Sequence, residues 1–318
     1  MTSLAFVFPG QGSQAVGMLS EAGELHPVIK ATFAEASDQL GLDLWHMAQQ
    51  GPSDLLALTE NTQPLILTAS VALFRVWREQ GGLMPVVAAG HSLGEFSALV
   101  AAGALAFSDA VRLVRLRGEA MQAAVPVGEG AMAAVIGLED EVINQVCDGV
   151  SARAGQPVLA VNFNSPGQVV IAGSAEAVSM AAEALKAEGA KRVLPLPVSA
   201  PFHTPMMQHA AEVLQAALTE MPVHDPVIPV ISNVNGEAQT NAEAIRMLLV
   251  DQVVSPVRWT GCMATMIGMG CQRFIECGPG RVLTGLTRRI APEAEGFVIE
   301  TPDQLQVALS TVNGESSP

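Results

Sequence analysis

The chain has 318 residues, 49% of them hydrophobic, enough for one large domain carrying a smaller inserted one, or for two domains, with a sizeable core. With 16 Lys and Arg against 31 Asp and Glu, the formal net charge is −15, which argues against nucleic acid or an anionic membrane as the main partner. The four cysteines, Cys147, Cys262, Cys271 and Cys277, have neither C-x-x-C nor zinc-finger spacing, so they read as reduced, mostly buried thiols and no metal is expected. The start, Met1-Thr2-Ser3-Leu4-Ala5-Phe6, lacks the basic and long apolar segments of a signal peptide, and no run approaches the roughly 18 apolar residues of a membrane span. The expectation is a soluble cytoplasmic protein.

Residues 4–8 are an apolar run stopped by Pro9-Gly10, read as a buried parallel strand that delivers Gln11-Gly12-Ser13-Gln14 into a loop at its carboxyl end. Open α/β sheets bind ligands at such ends; a plain two-glycine turn is the alternative. Helical patterns follow over 27–40 and 64–80. Residues 86–100 then combine an apolar run, the turn Gly90-His91-Ser92-Leu93-Gly94 and an Ala- and Leu-rich helical stretch. This strand, G-x-S-x-G turn and helix match a nucleophile elbow. Its glycines let two backbones pass closely, and the helix start aims N–H groups and a positive dipole end beside Ser92. The alternative is a glycine turn that happens to hold a serine.

A helix opened by Ser108-Asp109 as its cap is predicted to reach about residue 122. At about 100° per residue, Arg117 shares a face with Ala110, Val114 and Met121, whereas Arg112 and Arg115 lie with Glu119. A guanidinium on an apolar face must be paired, either with a core carboxylate or with a ligand anion. Over 131–198 the pattern changes to βαββαβ, the order of a ferredoxin-like unit entered through Val127-Gly128-Glu129-Gly130. The predicted fold is therefore α/β: an α/β-hydrolase-like core with a parallel sheet, formed by 1–127 and 199–312, and an inserted ferredoxin-like subdomain, 128–198. A cleft between them is a natural ligand site.

After the insert, Thr204 is a candidate helix cap with Pro205 at the first position. Strand patterns at 227–231 and 273–277 and helical ones at 242–250 and 259–267 complete the main sheet, and a polar tail closes the chain at 313–318. Among the six histidines, His26 and His46 lie on helix ends or faces near charges, His209 is mid-helix, His224 is in a Pro-flanked loop, and His91 points away from Ser92 at the turn. His203 alone sits in a loop at the mouth of the boundary between the two units, so it is the candidate base for Ser92.

Four separated motifs, Phe8-Pro9-Gly10-Gln11-Gly12-Ser13-Gln14, Gly90-His91-Ser92-Leu93-Gly94-Glu95, Arg117 in its helix and Phe202-His203, together resemble the malonyl-CoA:acyl-carrier-protein transacylase family of bacterial type II fatty acid synthesis. The similarity spans almost the whole chain, including Asn61-Thr62-Gln63-Pro64. It implies a ping-pong transfer in which Ser92 takes the malonyl group from malonyl-CoA, with His203 as base, and passes it to the phosphopantetheine thiol of acyl carrier protein. It further implies an oxyanion hole from the N–H groups of Gln11 and Leu93, and a carboxylate clamp at Arg117 with Gln63 and Met121 beside it. His203 would be oriented by the main-chain carbonyl of Gln252 instead of an Asp or Glu, a weaker polarisation that favours a waiting acyl-serine over hydrolysis. Phe202 is expected to crowd the malonyl C2 and select malonyl over methylmalonyl.

The carrier of this family's reaction is acidic, as is this chain, so docking needs a local basic patch; Lys186, Lys191 and Arg192, with Arg281, Arg288 and Arg289, are the candidates. No metal or redox cofactor is expected, coenzyme A and phosphopantetheine entering as carriers of substrate, and the protein is expected to act as a monomer. A stand-alone acyltransferase for a polyketide synthase is chemically identical. A serine thioesterase and a non-catalytic carrier-binding module are the remaining alternatives.

Overall fold

The structure, a computed structural model, describes residues 3–198 and 200–314. In chain order the elements are β1 (Ser3–Phe8), α1 (Ser20–Leu25), α2 (Pro27–Leu40), α3 (Leu44–Gln50), α4 (Ser53–Ala57), α5 (Thr59–Glu79), β2 (Val87–Gly90), α6 (Leu93–Ala101), α7 (Phe107–Ala123), β3 (Gly130–Ile136), α8 (Asp140–Ala154), β4 (Val158–Ser165), β5 (Gln168–Ser174), α9 (Ala175–Ala187) and β6 (Arg192–Pro195). A 3-10 turn (Pro205–Met207) then leads to α10 (Gln208–Glu220), β7 (Val230–Ile231), β8 (Ala238–Gln239), α11 (Ala242–Val254), α12 (Trp259–Gly268), β9 (Cys271–Glu276), α13 (Val282–Ile290), β10 (Glu295–Val298) and α14 (Pro302–Asn313).

The near-continuous apolar sequence of β1 follows from its place inside the larger sheet, ordered β10-β9-β1-β2-β7-β8. Leu4, Phe6 and Phe8 enter one core and Ala5 and Val7 the other, the period of two expected of a strand covered on both faces. All neighbours in this sheet run parallel except β7 and β8. Phe8 pairs with Gly90 across β1 and β2, so the loop after β1 and the turn after β2 emerge side by side. That register is what joins the chain's two glycine-containing motifs.

The smaller sheet is antiparallel, in the order β4-β5-β3-β6, the strand order of a ferredoxin-like unit. One face packs on α8 and α9 through residues such as Val135, Ile143, Ile171 and Leu185. The other face sends Met132, Val161, Val170 and Ala172 into the core of the larger unit. Two backbone bonds, Phe163 N–H to Val257 O at 2.9 Å and Val257 N–H to Val161 O at 2.8 Å, hold β4 against the main body. Ser199, where the second stretch of the larger unit was expected to begin, lies outside the described residues, as do 315–318 of the polar tail. Asn313 and Gly314, the described start of that tail, are the end and C-cap of α14.

Several local expectations are corrected. The helix expected from 64 starts at Thr59, with Pro64 inside it. Proline cannot donate to the carbonyl of Glu60, and Arg115 Nη1 does so instead at 3.1 Å. The following helix begins at Phe107 with Ala106 at its N-cap, two residues before the expected Ser108 cap. Of the strand expected over 227–231, Val230 and Ile231 alone pair, since Pro226 and Pro229 have no N–H to give a ladder. The short strands β8 and β10 and the helix α14 were not anticipated. His209 is second in α10, not mid-helix. All four cysteines are free and buried, and no described helix is long and apolar enough to cross a membrane.

Candidate active site

The elbow is sterically determined. A Cβ added to Gly90 would overlap the backbone of Gly94, and one added to Gly94 would overlap the carbonyl of Phe8, so strand and helix meet only through glycines. Between them Ser92 adopts φ 51°, ψ −108°, a left-handed conformation that costs a non-glycine residue roughly 1–3 kcal/mol. Side chains from distant segments hold it there. Its N–H donates to Asn233 Oδ1 at 2.7 Å, and its carbonyl accepts from Gln252 Nε2 at 3.1 Å.

His203, also at positive φ (63°), lies within the turn in which Thr204 Oγ1 donates to Pro201 O at 2.7 Å and accepts from Met206 N–H at 3.3 Å, the cap expected at Thr204. Its Nδ1 lies 2.9 Å from the carbonyl oxygen of Gln252 and its Nε2 2.8 Å from Ser92 Oγ. A carbonyl only accepts, so Nδ1 carries the proton and Nε2 is left to receive one from the serine. Burial first and then the positive charge of Arg117 push the imidazole down to about 3, which keeps it neutral and ready to accept.

Arg117 is 2% exposed and makes no direct ion pair among the described residues, although the charge of the buried Glu95 acts on it through space. Nη1 donates to Gln63 Oε1 at 2.8 Å, and Nη2 donates to Gln252 Oε1 at 2.9 Å and to Ser92 Oγ at 3.2 Å. Three neutral acceptors hold the fork in place; burial lowers its pKa to about 10, against the opposing charge of Glu95. Phe96 lies under the guanidinium, its centroid 5.3 Å from Cζ. A buried cation whose hydrogen-bond partners are all neutral, beside a serine hydroxyl, has the chemistry to take an anion.

Ser92, His203 and Arg117 open onto one cavity of about 110 Å³ between the two sheets. Gln11 and Leu93 line it from the two adjoining turns, Gln63 and Met121 from α5 and α7, and Phe202 from the segment before the base. Met132, Leu196 and Val198 close it from the smaller unit. Gln252 does not line it but lies behind it, wholly buried. The cavity thus brings together every candidate catalytic and substrate-binding residue read from the sequence, and Gln252 bonds three of them from beneath. One expectation is corrected: His91, expected to point away from Ser92, lines the same cavity, with Asn164 on β4 2.8 Å from its Nε2 and Trp259 flanking its ring. Glu95 and Asn233 were missed. Glu95 carried a signal, an acid among apolar residues one turn after the serine, whereas nothing local distinguishes Asn233.

A sequence profile of the acyl transferase domain family matches residues 5–297. The malonyl CoA-acyl carrier protein transacylase of Escherichia coli K12 is 53% identical over 97% of this chain and 99% of its own length. The chain belongs to the malonyl CoA-acyl carrier protein transacylase family. A solved transacylase structure from Coxiella burnetii is 46% identical and covers 98% of both chains with a TM-score of 0.96. Another solved structure, of a malonyl-transacylase in complex with a type II PKS acyl-carrier protein, is 51% identical, covers 98% of this chain and 100% of its own, and has a TM-score of 0.95. The protein is thus an acyltransferase by family, with the α/β fold of these transacylases.

Proposed function

We propose that this protein moves a malonyl group from malonyl-CoA to the phosphopantetheine thiol of an acyl carrier protein through a malonyl-Ser92 ester. The reading is carried by the surroundings of one atom, Ser92 Oγ, with a neutral base at 2.8 Å and a guanidinium at 3.2 Å inside a cavity of about 110 Å³. His203 Nε2 takes the serine proton as Oγ attacks the thioester carbonyl; the coenzyme A thiolate then leaves with that proton. In the second half His203 deprotonates the carrier thiol, which attacks the ester and frees the serine. The N–H groups of Gln11 and Leu93 receive the oxyanion.

Arg117 binds the free malonyl carboxylate, and that contact feeds back on the base. The Arg117 charge lowers the basicity of His203, so a carboxylate that cancels part of it strengthens the base only when malonyl is bound. The carbonyl of Gln252, in place of a carboxylate, keeps the imidazole weakly polarised, which spares the acyl-serine from water. Phe202 excludes a C2 branch. Carrier docking falls to Lys186, Lys191, Arg192, Arg281, Arg288 and Arg289, all exposed. On this reading the enzyme works as a cytoplasmic monomer, with nucleophile, base and charge supplied by its own side chains and no metal or redox cofactor.

The carrier is assigned to fatty acid chain extension; a polyketide carrier is the second reading, favoured by the 51% identity to the transacylase bound to a PKS carrier. Intact-mass spectrometry after brief exposure to malonyl-CoA tests the reading. A malonyl adduct on wild type, absent in Ser92→Ala and weak in Arg117→Ala, is expected; free malonate without an adduct would point to a hydrolase.

A further inference from the structure

Glu95 lies one turn beyond Ser92 on α6 and is 3% exposed. Its Oε2 accepts from Asn233 N–H at 3.0 Å and from Gln252 Nε2 at 2.8 Å, and Ser232 also bonds the carboxylate. Both main acceptor bonds lead directly to the reacting serine. Asn233 spans the elbow, its Nδ2 donating to Gly90 O at 2.7 Å while its Oδ1 accepts from Ser92 N–H. Gln252 touches three parts of the site: its Nε2 donates to Ser92 O, its Oε1 accepts from Arg117, and its main-chain carbonyl accepts from His203.

An amide has two similarly shaped ends, so something must decide which one meets Arg117. A flipped Gln252 would set its NH2 group against a guanidinium that has only donors. A carboxylate at Glu95, which only accepts and makes the shorter of the two bonds to Nε2, opposes that flip together with the Ser92 carbonyl. We propose that Glu95 is a positioning residue for malonyl transfer, anchoring Gln252 and Asn233 so that the Ser92 turn, His203 and Arg117 are held in one reactive arrangement. This rests on the transfer reading above and adds to it a residue outside the cavity.

The charged and titratable groups around Glu95 are Arg117 from α7 and Cys262 from α12, with His203 beyond Gln252 and His91 before the serine. Burial raises the Glu95 carboxyl to about 7, against the pull of its hydrogen bonds and of Arg117. Protonation would put a donor where two N–H groups now converge and loosen both anchors. His203 is held low by burial and by the Arg117 charge, so loss of an acid limb on replacing Glu95 distinguishes a limb that belongs to Glu95 from one that belongs to the base.

The test measures the rate of Ser92 acylation by malonyl-CoA, by quenched-flow and intact mass, for wild type, Glu95→Gln and Glu95→Met. Each protein is used at a temperature where circular dichroism shows it folded. Glu95→Gln keeps an acceptor oxygen and is expected within about tenfold of wild type, while Glu95→Met, which keeps the bulk alone, falls by roughly 100-fold, the scale of a small misplacement of reacting groups. The wild-type profile should lose rate below a midpoint near 7, and Glu95→Gln should lack that limb. Acylation of folded Glu95→Met at the wild-type rate, or the same limb in Glu95→Gln, overturns the inference. If Glu95→Met does not fold, the Glu95→Gln profile decides. If wild type takes up no malonyl, the transfer reading has failed instead; labelling of Ser92 by an uncharged sulfonyl fluoride then tests Glu95 by the same ranking of variants.

Discussion

Arg117→Ala separates two jobs that the geometry allows one guanidinium. Its Nη2 reaches both Gln252 and Ser92, at 2.9 and 3.2 Å, so it either clamps the substrate carboxylate or supports the serine itself. Two charge-assisted hydrogen bonds to a carboxylate are each worth about 1.5–3 kcal/mol. Some of that returns when water enters the space left by the side chain, so a net loss of about 3–5 kcal/mol is expected for malonyl transfer. That is a fall of roughly 10² to 10⁴ in kcat/KM. Acetyl-CoA is the control, since it has the same thioester and no carboxylate. Its transfer should hold steady or rise, because removing the charge also lifts one cause of the depressed basicity of His203. The assay is paired kcat/KM for malonyl-CoA and acetyl-CoA with one carrier protein. Equal losses for the two substrates would refute the clamp and assign Arg117 to Ser92.

Phe202→Ser should narrow the gap between malonyl-CoA and methylmalonyl-CoA by roughly 1–3 kcal/mol in paired kcat/KM, as expected when a bulky wall is removed; an unchanged ratio would mean that the ring, 9% exposed at the cavity edge, is only a plug. Gly94→Ala should give protein with no malonyl adduct by intact mass, because its Cβ would overlap the Phe8 carbonyl, and normal labelling would contradict the close approach of β1 to the elbow. For stability against pH, the His203 imidazole is held at about 3 in the fold but has its ordinary value near 6.5 when unfolded. Its contribution is therefore present above about 6.5 and lost as pH falls toward 3, where the unfolded chain takes the extra proton. His203→Gln should accordingly lose less Tm than wild type between pH 7 and about 4, measured by calorimetry; a parallel decline would remove the linkage.

Local sequence determines the elbow of this protein almost completely. Apolar residues before Gly90, small ones at Gly90 and Gly94 and helix formers after them leave the backbone one compact way to turn, and Ser92 is exposed by that turn. The angular position of Arg117 on α7 followed from helix period alone, since apolar neighbours at 110, 114 and 121 place it inward. The order of elements over 131–198 likewise announced the smaller sheet, because periods of two and 3.6 alternate there. What filled the site out came from residues with no periodic signal.

The Glu95 carboxylate meets the main-chain N–H of Asn233 and the side chain of Gln252 across separations of 138 and 157 positions, and hydrogen-bond partners that far apart leave no mark in local composition. The orientation of His91 depended on Asn164 from the other sheet, so it was misread from the turn alone. Pro64 marked a helix start by local rules, yet the helix runs through it because Arg115 from another helix satisfies the carbonyl that proline leaves unpaired. Backbone preference and periodicity act within a few residues and are written in the chain; the pairing of buried polar groups acts across space, so the fold itself had to choose their partners.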